Sequence, residues 1–335
     1  HLQLSESAKY AHENGVVLKG DIPIGVYRYG ADAWQHPDLF HMDMQAGAPP
    51  DDFAVKGQNW GFPTYNWEVM ASNDYSWWKL RFEQMSFYFD AFRIDHILGF
   101  FRIWSIPMDQ VEGIMGRFVP AIPIAQQELD KKGISVDMDR YTKPFINEAV
   151  LFTYFGYDNE YAKQHFVKSM QDGKYQLLPN FQTQRSVEAY FKILPNDEWH
   201  LKMQQGLYNL ISNVILFKGH DTQTYHFRFN MEGTLSFQNL DEKSKNALRD
   251  LYVNYFFIRQ DNAWEKEALN KLPMLKKSTN MLIFGEDLGL VPNCVPHVLR
   301  QLGMLSLEVQ RMPKASNKTF FHPTDAPYLS VVTPS

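Results

Sequence analysis

Three short apolar segments of the chain each run directly into charged residues. These segments end in "KGDIP" at 19–23, "FRIDH" at 92–96 and "FGEDLG" at 284–289. Each is typical of a buried β-strand whose carboxyl end opens into a polar loop, because a strand interior does not accommodate lone charges. Segments that favour helices adjoin these strands, at 5–14, 73–89 and 293–303. Because alternating strands and helices give parallel strands joined by crossovers, the pattern constrains the chain to an α/β fold.

The polar strand ends favour one α/β architecture, the (β/α)8 or TIM barrel. Such barrels assemble their active sites at the carboxyl ends of the strands, where this chain places its acidic residues. A doubly wound sheet would bind ligands at the same edge, but no glycine-rich phosphate loop follows any of the strands. We therefore predict a barrel, with further strands at 305–312 and 328–335.

The rhythm of strands and helices is interrupted in the middle of the chain. Mostly helical, charged segments fill this stretch, which is too long for a loop between two barrel strands. We predict three parts: the first part of the barrel at 1–107, an inserted α-helical subdomain at 108–277, and the continuation of the barrel at 278–335. Because a barrel that lacks strands does not close, we expect it to be incomplete in this chain.

Composition excludes several classes of partner. The net charge is −5 and no run of Lys or Arg occurs, so we expect no nucleic-acid or anionic membrane partner. The single cysteine, Cys294, excludes an internal disulfide and a cysteine-based zinc site, and it fits a reducing compartment. No segment of 18 apolar residues or signal-peptide pattern is present. We expect a cytoplasmic protein without a metal or cofactor.

Asp95 and Glu286 are the two candidate catalytic acids. Arg93 projects from the same face of its strand as Asp95, where its charge would keep Asp95 ionised, as a nucleophile requires. The apolar strand before Glu286 and the neighbouring Asp287 would raise the pKa of Glu286 and keep a proton available. Two carboxyl groups with pKa values pushed apart are what cleavage of a glycosidic bond needs.

Three other interpretations are compatible with the same residues. Asp95 and Arg93 can form a structural salt bridge, and Glu286 can be a helix-capping acid. Carboxylates at strand ends can also hold Mg²⁺, as they do in enolase-like barrels. Spacing alone leaves these alternatives open.

Five longer motifs resemble those of one enzyme family. They are "GDIPIGV", "GADAWQHPDLF", "GAPPDDFAVKGQNWGFPTYNW", "FDAFRIDHILGFFRIWSIP" and "GEDLGLVP", and the resemblance covers 5–107 and about 281–335. Together they are similar to the 4-α-glucanotransferases of glycoside hydrolase family 77, the amylomaltases and disproportionating enzymes. The resemblance implies a barrel that cleaves an α-1,4-glucan, holds the glucosyl or maltosyl unit covalently and transfers it to another sugar. The implied partners are maltooligosaccharides, maltose or branched α-glucans.

The resemblance also implies roles for individual residues. Asp95 matches the family's nucleophile, Glu286 its general acid/base and Arg93 the arginine beside the nucleophile, which His96 would also support. The residues expected to contact substrate are Asp21, Asp32, Trp34 and Asp287, together with the aromatic residues Phe53, Trp60 and Tyr65. The three aromatic residues lie in or next to the segment 47–67, which resembles the family's aromatic loop on the acceptor side, although each could equally be a packing residue.

Two features depart from the family pattern. Asp95 and Glu286 are much farther apart in the chain than in compact bacterial amylomaltases, which resembles the type with a long insertion. The family's third catalytic carboxylate lies in a His-Asp motif that we expect beyond Ser335, so the chain is interpreted as a central fragment. His220 and Asp221 in "KGHDTQT" come too early and are expected in a turn. The alternative function is a catalytically silent fragment that binds glucan.

Overall fold

A computed structural model describes residues 1–134, 137–314 and 318–335. The chain forms two compact units. The first unit contains His1–Met42, Phe62–Ile103 and Arg259–Ser335, and the second contains Asp43–Gly61 and Trp104–Ile258.

The α-helices are distributed over both units. They are α1 (Leu2–Glu13), α2 (Ala31–Gln35), α3 (Trp67–Ser72), α4 (Ser76–Ser86), α5 (Gln126–Lys131), α6 (Asp139–Thr142), α7 (Glu148–Phe155), α8 (Asn159–His165), α9 (Gln184–Phe191), α10 (Glu198–Ile211), α11 (Leu235–Gln238), α12 (Glu242–Phe257), α13 (Asp261–Lys277) and α14 (Cys294–Leu302). None of the helices among the described residues is both long and apolar enough to cross a membrane.

The β-strands are short. They are β1 (Lys19–Ile22), β2 (Phe40–His41), β3 (Met44–Ala48), β4 (Gln58–Asn59), β5 (Thr64–Tyr65), β6 (Ala91–Ile94), β7 (Ile103–Pro107), β8 (Arg117–Val119), β9 (Ile124–Ala125), β10 (Val167–Ser169), β11 (Tyr175–Leu177), β12 (Leu216–Lys218), β13 (Thr224–Phe227), β14 (Leu282–Gly285), β15 (Ser306–Val309) and β16 (Ser330–Thr333).

The first unit is built on parallel strands. β6 lies in the centre of a three-stranded sheet, with β1 on one side and β14 on the other, both parallel to it. β15 and β16 form a second parallel pair, and a bridge from Phe284 to Leu305 connects β14 to the start of this pair. The predicted α/β class is therefore confirmed. Within the described residues the strands do not close into a ring.

Apolar side chains explain why these strands form where the sequence predicts them. Ile22, Phe92, Ile94 and Ile283 are almost fully buried, so these side chains form the interior of the sheet. Helix α14 stops at Gly303, whose φ of 62° is left-handed. This conformation, which glycine adopts without steric cost, is a common helix terminator.

The second unit packs helices around its own apolar core. This core includes Val150, Phe155 and Leu207. At Gly206 of α10 an added Cβ would come within 2.4 Å of the Phe155 ring, so only glycine permits the close approach of α10 to α7. Small antiparallel pairings, β10 with β11 and β12 with β13, complete this unit.

The division into units differs from the predicted boundaries at 107 and 277 in two places. Segment 43–61 belongs to the second unit because β3 pairs antiparallel with β7, from Met44 opposite Pro107 to Gly47 opposite Trp104. Helix α13 belongs to the first unit. Its Lys271 is buried there and donates a hydrogen bond to the Phe100 carbonyl at 3.2 Å. Neither the pairing of β3 with β7 nor the contact of Lys271 with Phe100 can be predicted from neighbouring residues in the sequence.

Candidate active site

Arg93 connects two carboxylates at the ends of neighbouring strands. Asp21 of β1 lies opposite Arg93 of β6 in the strand register. The Arg93 Nε donates to both Asp21 oxygens at 3.1 Å, and an Arg93 Nη donates to Asp95 Oδ1 at 2.9 Å. The expected partnership of Arg93 with Asp95 is therefore present, and Asp21 joins it. Bridging of this kind fixes the orientation of both carboxylates.

The electrostatic environment of Asp95 differs from the sequence prediction. Burial raises the pKa of Asp95 above its ordinary value, the charge of Arg93 lowers it, and the charge of Asp21 raises it. Arg93 thus favours the ionised form, as predicted, but the net shift is upward because Asp95 is half-buried and faces a second carboxylate. The predicted shift rested on the charge of Arg93 and did not include the burial of Asp95 or the neighbouring Asp21.

Glu286 is held by two backbone donors. Its Oε2 accepts the His96 N–H at 2.9 Å, and its Oε1 accepts the Leu288 N–H at 3.2 Å. Burial raises the pKa of Glu286, the hydrogen bond from His96 opposes this, and the charge of Asp95 adds to it. The predicted upward shift is present, but its electrostatic contribution comes from Asp95 rather than from the neighbouring Asp287.

The strand ends that carry the two acids are joined by continued hydrogen bonding. The Asp95 N–H donates to the backbone carbonyl of Ile22 at 3.0 Å, and the Glu286 N–H donates to that of Ile94 at 2.9 Å. The Ile97 N–H donates to the backbone carbonyl of Glu286 at 3.1 Å. This ladder sets Asp95 and Glu286 on adjacent strands at the same edge of the sheet.

Close packing at Gly285 supports this arrangement. A Cβ at Gly285 would lie 2.6 Å from the Ile97 side chain, which therefore rests directly on the end of β14. Ile97 begins a short 3₁₀ helix, Ile97–Phe100, directly after His96. His96 itself has a left-handed φ of 46°, which is uncommon for a residue other than glycine. This conformation accompanies the hydrogen bond from its N–H to Glu286.

The His96 imidazole is uncharged at neutral pH. The residue is partly exposed, but its Nε2 is buried. Burial and, to a smaller extent, the charge of Arg102 lower the pKa of His96 to about 3. Arg102 is itself buried and donates to the carbonyl of Leu290, in the loop that follows Glu286. His96 therefore contacts Glu286 through its backbone N–H.

Asp287 points away from this arrangement. Its side chain is 1% exposed, Oδ1 accepts the Leu307 N–H at 2.9 Å, and Oδ2 accepts Lys314 Nζ at 2.7 Å. Burial raises the pKa of Asp287, and Lys314 partly opposes the shift. The expectation that Asp287 contacts substrate does not fit this geometry, because adjacent residues of a strand end face opposite sides.

The other predicted substrate residues of the first unit divide into exposed and buried side chains. Trp34 on α2 is 80% exposed. Asp32, also on α2, accepts Trp77 Nε1 at 3.3 Å. Tyr65 is buried among aromatic rings, with Phe40 and Trp78 at centroid distances of 5.5 and 5.4 Å. Tyr65 is thus a packing residue rather than a sugar platform.

The remaining predicted residues lie in the second unit. Phe53 is largely exposed in a turn where Asp51 Oδ1 accepts the Phe53 N–H at 2.9 Å. Trp60 donates from Nε1 to Gln58 Oε1 at 2.9 Å. His220 and Asp221 occupy the exposed turn between β12 and β13, as predicted.

Sequence reasoning missed the backbone contribution to the site. The Leu288 N–H and the left-handed conformation of His96 both orient Glu286, but neither depends on a residue type that a motif could identify. Within residues 1–134, 137–314 and 318–335, no group of three His, Cys, Asp or Glu side chains comes together in a way that could hold a metal ion.

Comparisons with known proteins agree on one family. The family model Glyco_hydro_77, described as 4-alpha-glucanotransferase, matches residues 1–335. The 4-alpha-glucanotransferase DPE2 of Oryza sativa subsp. japonica is 44% identical over 349 residues, which cover 100% of this chain and 36% of that protein. The chloroplastic/amyloplastic 4-alpha-glucanotransferase of Solanum tuberosum is 27% identical over 295 residues, which cover 73% of this chain and 51% of that protein.

A solved structure, the amylomaltase from Corynebacterium glutamicum, matches with a TM-score of 0.46 and 15% identity, covering 99% of this chain and 27% of that one. The chain spans about a third of the length of the rice relative and about half that of the potato relative. Because the family model matches every position, the chain belongs to the 4-alpha-glucanotransferases of glycoside hydrolase family 77.

Proposed function

We propose that this chain carries the nucleophile and the general acid/base of a retaining 4-α-glucanotransferase. The observation that supports this most directly is the placement of Asp95 and Glu286 on adjacent parallel strands, in two different environments. Asp95 shares a cation with a second carboxylate, whereas Glu286 is held by backbone N–H groups. Two carboxyl groups in unlike surroundings suit the two roles of this chemistry.

In the first step, an Asp95 oxygen forms a bond to the anomeric carbon of the donor sugar. The bond between that carbon and the glycosidic oxygen breaks, and Glu286 gives its proton to the departing 4-oxygen. In the second step, Glu286 takes the proton from the 4-hydroxyl of an acceptor, whose oxygen displaces Asp95. The two inversions leave an α-linkage, and no oxidant or metal is consumed.

Arg93 and Asp21 support the nucleophile in this proposal. Arg93 favours the ionised form of Asp95 before the bond to the sugar forms. When Asp95 becomes an uncharged ester, Arg93 keeps only Asp21 as a negatively charged partner. Asp21 keeps the Arg93 guanidinium in place and is positioned to accept hydrogen bonds from the donor sugar. Trp34, Asp32, Phe53 and Trp60 remain proposed substrate contacts, and the proposed substrates are maltooligosaccharides, maltose or branched α-glucans.

The test is transfer from maltotriose, followed by chromatography. We expect both shorter and longer maltooligosaccharides, with no loss after EDTA treatment. EDTA sensitivity would favour the magnesium alternative. Unchanged maltotriose with retained glucan binding would favour the silent glucan-binding alternative.

A second test is specific to the nucleophile. In E286Q, a maltosyl donor with a good leaving group should still form the covalent intermediate, because such a group departs without a proton. Mass spectrometry of the peptides should then locate the added sugar on Asp95. A label on any other residue would contradict the assignment.

The pH dependence of kcat/KM tests the role of Glu286. The raised pKa keeps Glu286 protonated to a higher pH than an ordinary carboxyl, whose value is 4.5. Activity should therefore decline on the alkaline side as Glu286 loses its proton. E286Q should remove this decline together with most of the activity.

We also propose that the parallel strands belong to a (β/α)8 barrel, into whose chain the mainly helical segment Trp104–Ile258 is inserted. The strand order supports this, because β1, β6 and β14 adjoin in chain order with their polar ends at one edge. A cytoplasmic location is supported by the unpaired, buried Cys294. The potato relative is named as a plastid protein, so a fluorescent fusion of the full-length protein distinguishes the two compartments.

A further inference from the structure

Two exposed tyrosines follow strand β1 without any role in the proposed chemistry. Tyr27 is 72% and Tyr29 is 76% exposed, and their rings form an edge-to-face pair with centroids 5.8 Å apart at 78°. Most large exposed side chains occur singly on protein surfaces. A pair of exposed aromatic rings in mutual contact, five and seven residues after the end of a strand of the candidate active-site sheet, is unusual enough to need an explanation.

The backbone that carries these tyrosines is firmly anchored. An added Cβ at Gly25 would lie 2.5 Å from the Phe62 ring, so the loop is in direct contact with that ring. Between the two tyrosines, Arg28 is 7% exposed and donates to the Met42 carbonyl at 2.7 Å. The Gly30 N–H closes a turn on the Tyr27 carbonyl at 2.9 Å. The inward Arg28 leaves the tyrosines on either side of it facing solvent.

An exposed ring on a fixed backbone is suited to binding an extended ligand. Tyrosine has few rotatable bonds, so little conformational entropy is lost when its ring is covered. A flat ring covers the apolar C–H face of a sugar, and the hydroxyl remains free to hydrogen-bond in water. A pair of rings at a steep angle offers two such surfaces in different directions, which a curved or branched chain can follow.

We propose that Tyr27 and Tyr29 form a binding platform for a part of the α-glucan that does not react. The proposal rests on the proposed function, which supplies the class of ligand. Its location is consistent with a single chain reaching both sites, because Tyr27 follows Asp21 by only six residues and so lies within about 20 Å of it. Substrates long enough to reach the platform gain affinity from it, whereas maltose does not.

The experiment measures glucan binding directly, in the D95N background where no turnover occurs. The variants are Y27A/Y29A, the conservative Y27F/Y29F, and the control Y10A, which removes a tyrosine of α1 that is also 70% exposed. Each is tested by calorimetry with maltose and with maltoheptaose, and by retardation in gels that contain glycogen. Circular dichroism and thermal unfolding verify that each variant is folded.

We expect Y27A/Y29A to weaken maltoheptaose binding by about tenfold and to reduce retardation by glycogen, with maltose binding unchanged. Y27F/Y29F and Y10A should bind like the parent. The proposal is overturned if Y27A/Y29A binds maltoheptaose like Y10A, or if it weakens maltose and maltoheptaose equally. Absence of maltotriose transfer by the protein with Asp95 intact would instead contradict the proposed function, so the two failures are distinguishable.

Discussion

Two ion clusters of the first unit have the same arrangement of charges but different access to solvent. Each has one cation between two carboxylates: Asp21, Arg93 and Asp95 in the open cluster, and Asp287, Lys314 and Glu308 in the sealed cluster. The carboxylates of the open cluster are 54% and 41% exposed, whereas those of the sealed cluster are 1% and 7% exposed. The ion-pair distances are similar, between 2.7 and 2.9 Å in both.

Access to solvent, rather than ion pairing, separates a candidate catalytic group from a structural one. In the sealed cluster, Asp287 uses both oxygens on the protein, one on the Leu307 N–H and one on Lys314. Such a carboxylate has no lone pair directed at a substrate, and its removal leaves Lys314 with less compensation. In the open cluster, Arg93 donates to Asp95 Oδ1, and among the described residues Asp95 Oδ2 accepts no hydrogen bond, which suits its proposed role as the nucleophile.

The sharpest test of this contrast is D95N in the open cluster. We expect transfer from maltotriose to fall by at least about a thousandfold, because an amide cannot form the glycosyl ester. Thermal unfolding should change little, since a half-exposed carboxylate contributes little to stability. Its control is D221N, in the exposed turn after β12, which should keep full activity. Substantial activity in D95N would exclude Asp95 as the nucleophile.

In the sealed cluster, D287N should show the opposite result. The amide has one acceptor oxygen for two donors, so its NH2 group would face either the Leu307 N–H or Lys314, and we expect a decrease of about 1–3 kcal/mol in the free energy of unfolding. The kcat of the folded fraction should remain near that of the parent, as measured under conditions where both are folded. A thousandfold loss of kcat without a loss of stability would place Asp287 in the chemistry and remove the contrast.

The cation of the open cluster is tested by R93K. Lysine offers one ammonium in place of the guanidinium, which reaches Asp21 through Nε and Asp95 through Nη. We expect kcat/KM to fall by about tenfold, mostly through kcat, with the fold retained. An unchanged kcat/KM would show that the bridging geometry is not needed. The matched cation exchange in the sealed cluster, K314R, should affect stability instead.

The pH dependence of stability gives a smaller, signed effect. The folded-state pKa of Asp287 is raised above its value of 3.8 in the unfolded chain, so the folded state binds the proton more tightly. The contribution of Asp287 to the free energy of unfolding is therefore fully present below pH 3.8, and it is lost as pH rises through the folded-state pKa. As pH rises from about 3.8 through the folded-state pKa, the unfolding free energy of the parent should therefore decrease relative to that of D287N. A shift in the opposite direction would contradict the raised pKa.

The smallest effect is expected for H220A in the second unit. Its side chain is almost fully exposed in a hairpin turn, next to the exposed Asp221. We expect stability to change by less than about 0.5 kcal/mol and transfer to remain unchanged. Loss of activity in H220A would mean that the second unit contributes to the chemistry.

Much of the sheet in the first unit could be predicted because its signals are local. An apolar run followed by charged residues located the ends of β1, β6 and β14, and the C-terminal glycine located the end of α14. These features depend on neighbours within a few residues. The sequence also placed Asp95 and Glu286 at strand ends, which is where the structure has them.

Other predictions concern residues whose environment depends on distant parts of the chain. For Tyr65 the sequence left a sugar-stacking and a packing role equally open, and in the structure Phe40 and Trp78 cover its ring. Asp287 was expected beside substrate, but β15 and Lys314 enclose it. An aromatic ring or a carboxylate has the same letter in the sequence whether or not a distant segment buries it.

Residue types in a fixed local order were therefore sufficient to predict the α/β class, the family and the two acids at strand ends. Which charges share a partner, and which carboxylates are buried, depends instead on how distant segments pack together. Pairing of β1 with β6 brings Asp21 to Arg93, and the approach of β15 closes over Asp287. Burial and charge proximity are properties of the packed chain, and they set the pKa values and the access that chemistry requires.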